Sequence, residues 1–438
     1  MTGAWSRKTS TSSTAASSEE AMKKVTFCAY DKPDSVGGPV SWIQRLAPRL
    51  AERGFNVRCL FILHWGETGV ALASLRDAGI ECEVAIGIDR TEDRIQWILQ
   101  KLRENPPDIF VPNLVVAAYF AARWAREAGI RTVGVLHSDD EFYRAIQDEF
   151  VFGPAEFRVS SVVCVSEVIE LEVISRNPDN VIVRRIPYGV SLPVGRVQPE
   201  NGRIRLAFVG RLAEEQKRIG EVTRALCRVA SELTGTEARI YGEGPDRQLV
   251  EDILANEGRG LPVYLEGRID PNEVQGKLLD TDVLVLLSDY EGLPIALLEA
   301  MACGCIPVCL NIKSGIPELV EDGISGLLVA DRDDSFVAAI KRLRDEPIGR
   351  AEMSSAARHK IETIFSETRS VNAWCDLFHL LGTSSLPPNR IGLDPSLDLP
   401  PVNNHLASAD VRVAAPMRQR SFLCRGLRRL LALRIESF

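Results

Sequence analysis

From Lys24 onward the chain alternates short β-branched runs with longer stretches whose apolar residues recur at helical spacing, which is the pattern of βα units around a parallel sheet. Two such series are present. In the first, strands are predicted at Val25–Tyr30, Val57–Leu63, Glu81–Ile86, Asp108–Val111, Thr132–His137, Ser161–Val165 and Val181–Ile186. Helices are predicted between them, among others over Val40–Arg53, Arg94–Glu104 and Ala117–Ala128. Pro187, Pro193 and Pro199 then crowd together with Gly189, Gly195 and Gly202, and this shift in composition marks a linker near residues 190–203. The second series places strands at Ile204–Val209, Ala238–Tyr241, Val263–Leu265, Val283–Leu287 and Ile306–Cys309.

The architecture this implies is α/β, with two Rossmann-like doubly wound domains facing across a cleft. The divisions are a disordered leader over 1–23, a first domain over 24–195, a second over 203–382, and a flexible Pro-rich linker with a basic tail over 383–438. Pro387, Pro388, Pro395, Pro400 and Pro401 make ordered packing unexpected up to about residue 410. Open parallel sheets bind ligands beyond the carboxyl ends of their strands, so a ligand cleft is predicted between the two domains.

Composition narrows the classes of function. Lys and Arg number 52 against 60 Asp and Glu, and the net charge of -8 argues against a protein that coats nucleic acid through bulk charge, so that any nucleic-acid role would need a local patch. No apolar run approaches the roughly 18 residues needed to span a bilayer. The Ser- and Thr-rich start has no apolar segment of the secretory kind. The ten cysteines are scattered through apolar segments, as reduced core thiols of a cytoplasmic protein would be, and Cys303 and Cys305 lack the partner ligands of a zinc site.

Candidate chemistry gathers at the predicted strand ends. Ser288 to Gly304 reads as strand, loop and helix, which puts Glu291 in the loop and Glu299 inside a helix whose other residues are nearly all apolar. A carboxylate there requires a partner or a ligand. Arg211 and Lys217 follow the first strand of the second domain, and a forked guanidinium beside a mobile ammonium suits a diphosphate. Tyr241-Gly-Glu-Gly-Pro245 lacks the third glycine of a dinucleotide fingerprint, and no Gly-x4-Gly-Lys-Ser/Thr loop occurs, which disfavours a dehydrogenase or a nucleotidase. Ser35-Val-Gly-Gly-Pro39 follows the first strand and opens a helix, where backbone amides suit an anion or a sugar phosphate, or simply make a tight turn. His137 closes a strand just before Ser138-Asp-Asp-Glu141 and is a candidate at the cleft edge. His64 ranks below it, and His359, His379 and His405 fall outside the cleft.

These pieces, in this order and spacing, resemble the family-four glycosyltransferases, retaining enzymes of the GT-B fold. The resemblance covers about residues 24–382 and rests on Gly37-Gly38, Val209-Gly-Arg211 with Lys217, Gly242-Glu-Gly-Pro245, Glu291 and Glu299, and Gly315 to Gly323. It implies transfer of a hexosyl group from a nucleotide sugar with retention, with neither metal ion nor cofactor. It further implies that Arg211 and Lys217 hold the donor diphosphate, Glu299 the ribose and Glu291 the sugar ring. Gly38 would approach the diphosphate from the first domain, and His137 would lie beside the reacting sugar. The first domain would take the acceptor, whether glycan, lipid-linked or small molecule. One departure is Pro48, which is expected to interrupt or kink the first helix. A nucleotide-sugar epimerase, which would convert its donor without any acceptor, and a silent nucleotide-sugar-binding protein are the rival readings.

The tail adds a possible partner. Arg418, Arg420, Arg425, Arg428, Arg429 and Arg434 stand in an otherwise acidic chain. On a helix, Leu423, Leu427, Leu430 and Leu431 would face away from Arg425, Arg428 and Arg429, the pattern of a peripheral membrane contact, although Gly426 and Arg434 interrupt it. A solvated tail or a helix docked on the protein itself are the alternatives. If residues 418–435 make that contact, the full-length chain co-floats with anionic but not neutral liposomes and a chain truncated after residue 384 does not. Equal behaviour of the two chains removes the membrane reading.

Overall fold

The computed structural model describes residues 22–32, 37–63, 68–198, 200, 202–271, 273–382, 390–393, 397–407 and 409–410. The expected leader up to residue 21, His64 and the basic tail from residue 411 lie outside the described residues. The first domain holds β1 (Lys24–Asp31), β2 (Asn56–Leu63), β3 (Glu81–Ile86), β4 (Ile109–Pro112), β5 (Arg131–Leu136), β6 (Ser161–Cys164) and β7 (Ile182–Arg185). The second holds β8 (Ile204–Val209), β9 (Thr236–Tyr241), β10 (Val263–Gly267), β11 (Val283–Leu286), β12 (Ile306–Leu310) and β13 (Leu327–Val329). All pairings between these strands are parallel.

The strand orders are β3-β2-β1-β4-β5-β6-β7 and β10-β9-β8-β11-β12-β13. Each order reverses direction once, between β1 and β4 in the first sheet and between β8 and β11 in the second. At such a switch the helices leave on opposite faces and a crevice opens at the carboxyl ends of the two strands. These two crevices carry most of the candidate residues. Helices cover both sheets, so the central strands are apolar on both faces, as Val283–Leu286 illustrates with four buried residues, while the edge strand Ile182–Arg185 is largely exposed.

The helix Gly38–Glu52 begins with Pro39 in its first turn, where the missing N–H costs nothing. It runs unbroken through Pro48, contrary to the expected interruption. Trp42, Ile43, Leu46, Ala47 and Leu50 are buried along one face, and packing on both sides of the proline outweighs the lost hydrogen bond, about 3 kcal/mol in an unsupported helix.

The chain crosses between domains twice, at residues 186–203 and 364–370, and the crossings run side by side. Val190 N–H donates to Phe365 O at 3.1 Å and Glu367 N–H to Val190 O at 3.0 Å. A side chain at Gly189 would place its Cβ 2.6 Å from Ser366 O. Arg358 donates to the carbonyls of Pro193 and Gly195, and Arg350, fully buried, donates to those of Glu200 and Arg203. The linker is thereby pinned by two cations of the second domain.

Two expectations are corrected. The last helix, Glu367–Leu381, belongs to the sequence series of the second domain but packs on the first: Trp374 lies 5.2 Å from Trp42 and Phe378 lies 5.8 Å from Phe55, centroid to centroid. The second crossing carries it there. The Pro-rich segment after residue 389 is not a free linker either, because Ile391 and Leu406 are buried in the first domain's core and Leu397, Leu399 and Ala409 pack against it. Apolar residues spaced between the prolines supply the anchors, and extended proline-rich backbone needs few internal hydrogen bonds.

Candidate active site

The exits of β8 and β11 are neighbours because those strands pair. After β8 the chain turns at Gly210, passes Arg211 and forms a single helical turn, Glu214–Lys217. After β11 it makes the loop 287–294 and enters the helix Ile295–Cys303, which ends at Gly304 with φ 86°. The two exits are tied together: Asp289 N–H donates to Gln216 O at 2.9 Å and the Gln216 amide donates to Tyr290 O at 3.0 Å. The Asp289 carboxylate is paired with Arg218 and Arg332, which hold it below the usual carboxylate range despite the opposing effect of burial.

Within this frame Lys217 and Glu291 form an ion pair, both largely buried. Arg211 is exposed and has no hydrogen bond or ion pair among the described residues. The strand exit that carries it is braced by the glycine loop: Leu212 N–H donates to Glu243 O at 2.9 Å and Asp246 N–H to Leu212 O at 3.1 Å. A Cβ at Gly242 would fall 1.8 Å from Gly210 O, so that glycine is fixed by backbone contact. Gly244 is likewise required by the neighbouring chain, since a Cβ there would fall 2.2 Å from Leu212 O.

Glu299 sits in the helix Ile295–Cys303, which is otherwise almost wholly buried, and its carboxylate accepts from Arg45 of the first domain. The partner demanded by its surroundings is therefore present, and it comes across the cleft. Gly38 heads the helix that carries Arg45, and a Cβ there would lie 3.9 Å from Ile295 Cδ1. The amino ends of the helices Gly38–Glu52 and Ile295–Cys303 thus face each other across the cleft, a pair of anion-favouring ends.

His137 follows β5 directly and is buried. Its ring lies edge-on to Trp42 at 5.2 Å and stacks on Tyr188 at 5.8 Å between centroids. Nδ1 pairs with the Tyr188 hydroxyl and Nε2 with Asn113 Oδ1. The Asn113 amide nitrogen donates to Pro39 O at 3.2 Å, so its oxygen faces His137 and the imidazole proton lies on Nε2. Burial pushes the His137 pKa down to about 3. Both nitrogens are engaged with protein, so the ring is locked in one neutral tautomer. Asn113 at the exit of β4, Tyr188 in the linker and Arg45 went unnoticed in the sequence, since each is an ordinary polar residue until the fold brings it to a partner.

The two crevices meet through glycines. A Cβ at Gly292 would lie 1.9 Å from His137 O, and one at Gly315 would lie 2.1 Å from Gly292 O, which accepts from Gly315 N–H at 2.8 Å. Glu318, one turn on, accepts from Glu167 N–H and from Arg185, both at 2.7 Å, and burial pushes its pKa up. Ser166 Oγ and Ser288 Oγ, both fully buried at strand exits, have no hydrogen-bond partner among the described residues. Among the described residues no group of three His, Cys, Asp or Glu has a metal-binding arrangement, and no helix is long and apolar enough to cross a membrane.

The family described as glycosyl transferases group 1 matches residues 196–360, the stretch that carries Arg211, Lys217, Glu291 and Glu299. The amylovoran biosynthesis glycosyltransferase AmsK of Erwinia amylovora is 35% identical over 172 residues, 37% of this chain and 42% of the relative. The GDP-mannose-dependent alpha-(1-6)-phosphatidylinositol dimannoside mannosyltransferase of Mycobacterium tuberculosis is 27% identical over 277 residues, 58% of this chain and 68% of the relative. The chain spans less than half of the first curated relatives it matches, 42% of AmsK and 31% of the putative colanic acid biosynthesis glycosyltransferase WcaL of Salmonella typhimurium. Among solved structures, Anabaena HepE in complex with UDP-glucose superposes with a TM-score of 0.65 at 18% identity, covering 82% of this chain and 99% of that one. The pneumococcal O-GlcNAc transferase GtfA in complex with UDP and GlcNAc gives 0.67 at 12% identity, covering 83% and 100%. The two-domain architecture is the GT-B fold.

The His137 pKa sets a pH dependence of folding. A histidine held neutral gains a proton on unfolding at any pH between its folded value of about 3 and its ordinary 6.5. Stability is therefore full above pH 6.5 and declines as pH falls toward 3, by up to about 1.4 kcal/mol per pH unit for one proton. Denaturant unfolding between pH 7 and 5 should show a shallower decline in His137→Gln than in the wild type. Identical slopes would place the titrating group elsewhere.

Proposed function

We propose that the protein is a glycosyltransferase that moves a hexosyl group from a nucleotide-sugar donor to an acceptor held by the first domain, with retention and without a metal ion. The observation that carries this reading is the convergence of Arg211, Lys217 and Glu291 at the β8/β11 switch point, inside the stretch that matches the glycosyl transferases group 1 family. The solved neighbours HepE and GtfA, whose complexes contain UDP, favour a nucleotide-sugar donor for a chain of the same fold.

In this reading the donor lies across the cleft. Its diphosphate meets Arg211, Lys217 and the two facing helix ends, with the bare backbone at Gly38 allowing close approach. Glu299 takes the ribose and Glu291 the sugar. Each of these carboxylates has a cationic partner, so the donor competes with Arg45 for Glu299 and with Glu291 for Lys217. Binding therefore exchanges internal ion pairs for external ones, which holds the desolvation cost down. As the glycosidic bond breaks, negative charge grows on the leaving diphosphate, and two fixed cations stabilise it as a metal would. His137, locked and neutral, presents a rigid wall beside the reacting sugar. An epimerase on the same fold would convert a nucleotide sugar with no acceptor present, whereas a transferase incubated with donor alone gives slow hydrolysis at most, and intact Arg211, Lys217, Glu291 and Glu299 weigh against a silent binder.

Glu291 and Glu299 should fail differently. Glu291→Gln lowers turnover with modest change in donor affinity, whereas Glu299→Ala weakens nucleotide binding, measured by calorimetry against a panel of nucleotide sugars. Full activity in both variants with a proven acceptor rejects the site assignment. Activity should also survive EDTA, and replacing Arg211 or Lys217 should cost on the order of 2–4 kcal/mol of transition-state stabilisation in kcat/KM. A manganese or magnesium requirement abolished by chelator overturns the metal-free reading.

A further inference from the structure

Of the nine described cysteines, eight are buried and Cys82 alone is partly exposed. Cys82 lies on β3, the edge strand of the first sheet, and its register partner on β2 is Cys59. Residues in register on parallel strands project from the same face, and neighbouring strands run about 4.8 Å apart, within the roughly 4.4–6.8 Å that separates the Cα atoms of a disulfide. The partner of Cys59 on β1 is Phe27, whereas Cys28 stands in register with Leu60 and projects from the opposite face. Cys59 and Cys82 therefore face each other, and no other cysteine of β1, β2 or β3 shares their face.

The two thiols differ in character. The largest influence on each is the hydrogen-bonding interaction between them, in which Cys59 is the donor: it raises Cys59 well above the ordinary thiol value and lowers Cys82. Burial adds to the rise of Cys59. Arg76, in the last turn of the helix Val70–Asp77, adds to the lowering of Cys82, and its guanidinium donates to Cys82 O at 3.3 Å. Burial, Glu81 and Asp31 oppose that lowering without reversing it. In the remaining described cysteines burial pushes the thiol up. An accessible thiol with thiolate character beside a buried protonated one is the division of labour between an attacking and a resolving cysteine.

We propose that Cys82 and Cys59 are a modification site for peroxides, a dithiol that closes reversibly to a disulfide between β3 and β2. The Cys82 thiolate attacks one oxygen of hydrogen peroxide and the O–O bond breaks, leaving a sulfenic acid on Cys82 and a hydroxide that a solvent proton converts to water. The Cys59 sulfur then loses its proton and displaces the sulfenic hydroxyl, which leaves as a second water as the S–S bond forms. The two sulfurs give up two electrons in all, and the peroxide accepts them. Because β3 pairs with β2 alone, it can settle against β2 to meet disulfide geometry without breaking a second ladder. In a reducing compartment such a pair rests as the dithiol and closes only transiently.

The test takes the reduced full-length protein, exposes it to hydrogen peroxide, alkylates the remaining thiols and maps the digest by mass spectrometry. The expected product is a linked peptide pair carrying Cys59 and Cys82, reversed by dithiothreitol and formed about tenfold or more faster than oxidation of the other described cysteines. In Cys59→Ala the reaction stops at the Cys82 sulfenic acid, which dimedone labels, and in Cys82→Ser the Cys59 thiol survives the same exposure. A wild-type map without the Cys59–Cys82 link overturns the proposal, including one that joins Cys82 to Cys424, which lies outside the described residues. Oxidation of Cys59 in Cys82→Ser at the wild-type rate overturns it as well. The wild-type map decides even if loss of the buried Cys59 side chain disturbs folding. Its readout is independent of glycosyl transfer, so the two readings stand or fall separately.

Discussion

The two domains meet by backbone on backbone. Gly292 lies against the carbonyl of His137, and Gly315 lies against the carbonyl of Gly292, each at a distance that leaves no room for a Cβ. This contact brings the exit of β11 to the exit of β5, and the rest of the site follows from it. Glu291 precedes Gly292 directly, so its carboxylate is delivered to the junction together with the Lys217 that pairs with it. A bulkier residue at Gly292 would push the second domain's loop away from the first and widen the cleft at the point where His137 is held, whereas one at Gly315 would press on Gly292 from within the second domain.

Around that junction the charges are internally matched. Lys217 is bound to Glu291, Arg45 to Glu299, and Asp289 to Arg218 and Arg332, while Arg211 alone among these cations is exposed and unengaged among the described residues. Such matching offsets the desolvation cost of these partly buried charges. It also gives the candidate residues different standing. On the proposed reading, Arg211 would be available for first contact, whereas Lys217, Glu291 and Glu299 would exchange partners to engage a ligand.

His137 is part of a longer chain of contacts. Asn113 fixes one nitrogen from the exit of β4, Tyr188 fixes the other from the interdomain linker, and Trp42 packs on the ring while touching Trp374 of the last helix. The imidazole thus joins the first sheet, the linker and the returning helix. Rotation of one domain against the other strains this cluster first, because the linker residue Tyr188 belongs to it.

Much of this was written in the sequence. The alternation of apolar runs places twelve of the thirteen strands to within two residues, because a strand buried on both faces reads as a continuous apolar run, and only the short β13 escapes it. Glu299 was conspicuous for the same reason, as a carboxylate on a helix with no polar face. What the local pattern could not reveal is where chain segments distant in sequence meet. The last helix reads like its neighbours in the second domain, but docking on Trp42 and Phe55 decides its allegiance. The proline-rich segment reads as unstructured because its few apolar residues gain nothing locally, and only a groove supplied by the first domain lets Leu406 and Ile391 bury. Asn113, Tyr188 and Arg45 carry no signal at all in one dimension. Periodicity reports what a segment does with its own backbone and its nearest apolar face, while partnership across several hundred residues is settled by packing alone.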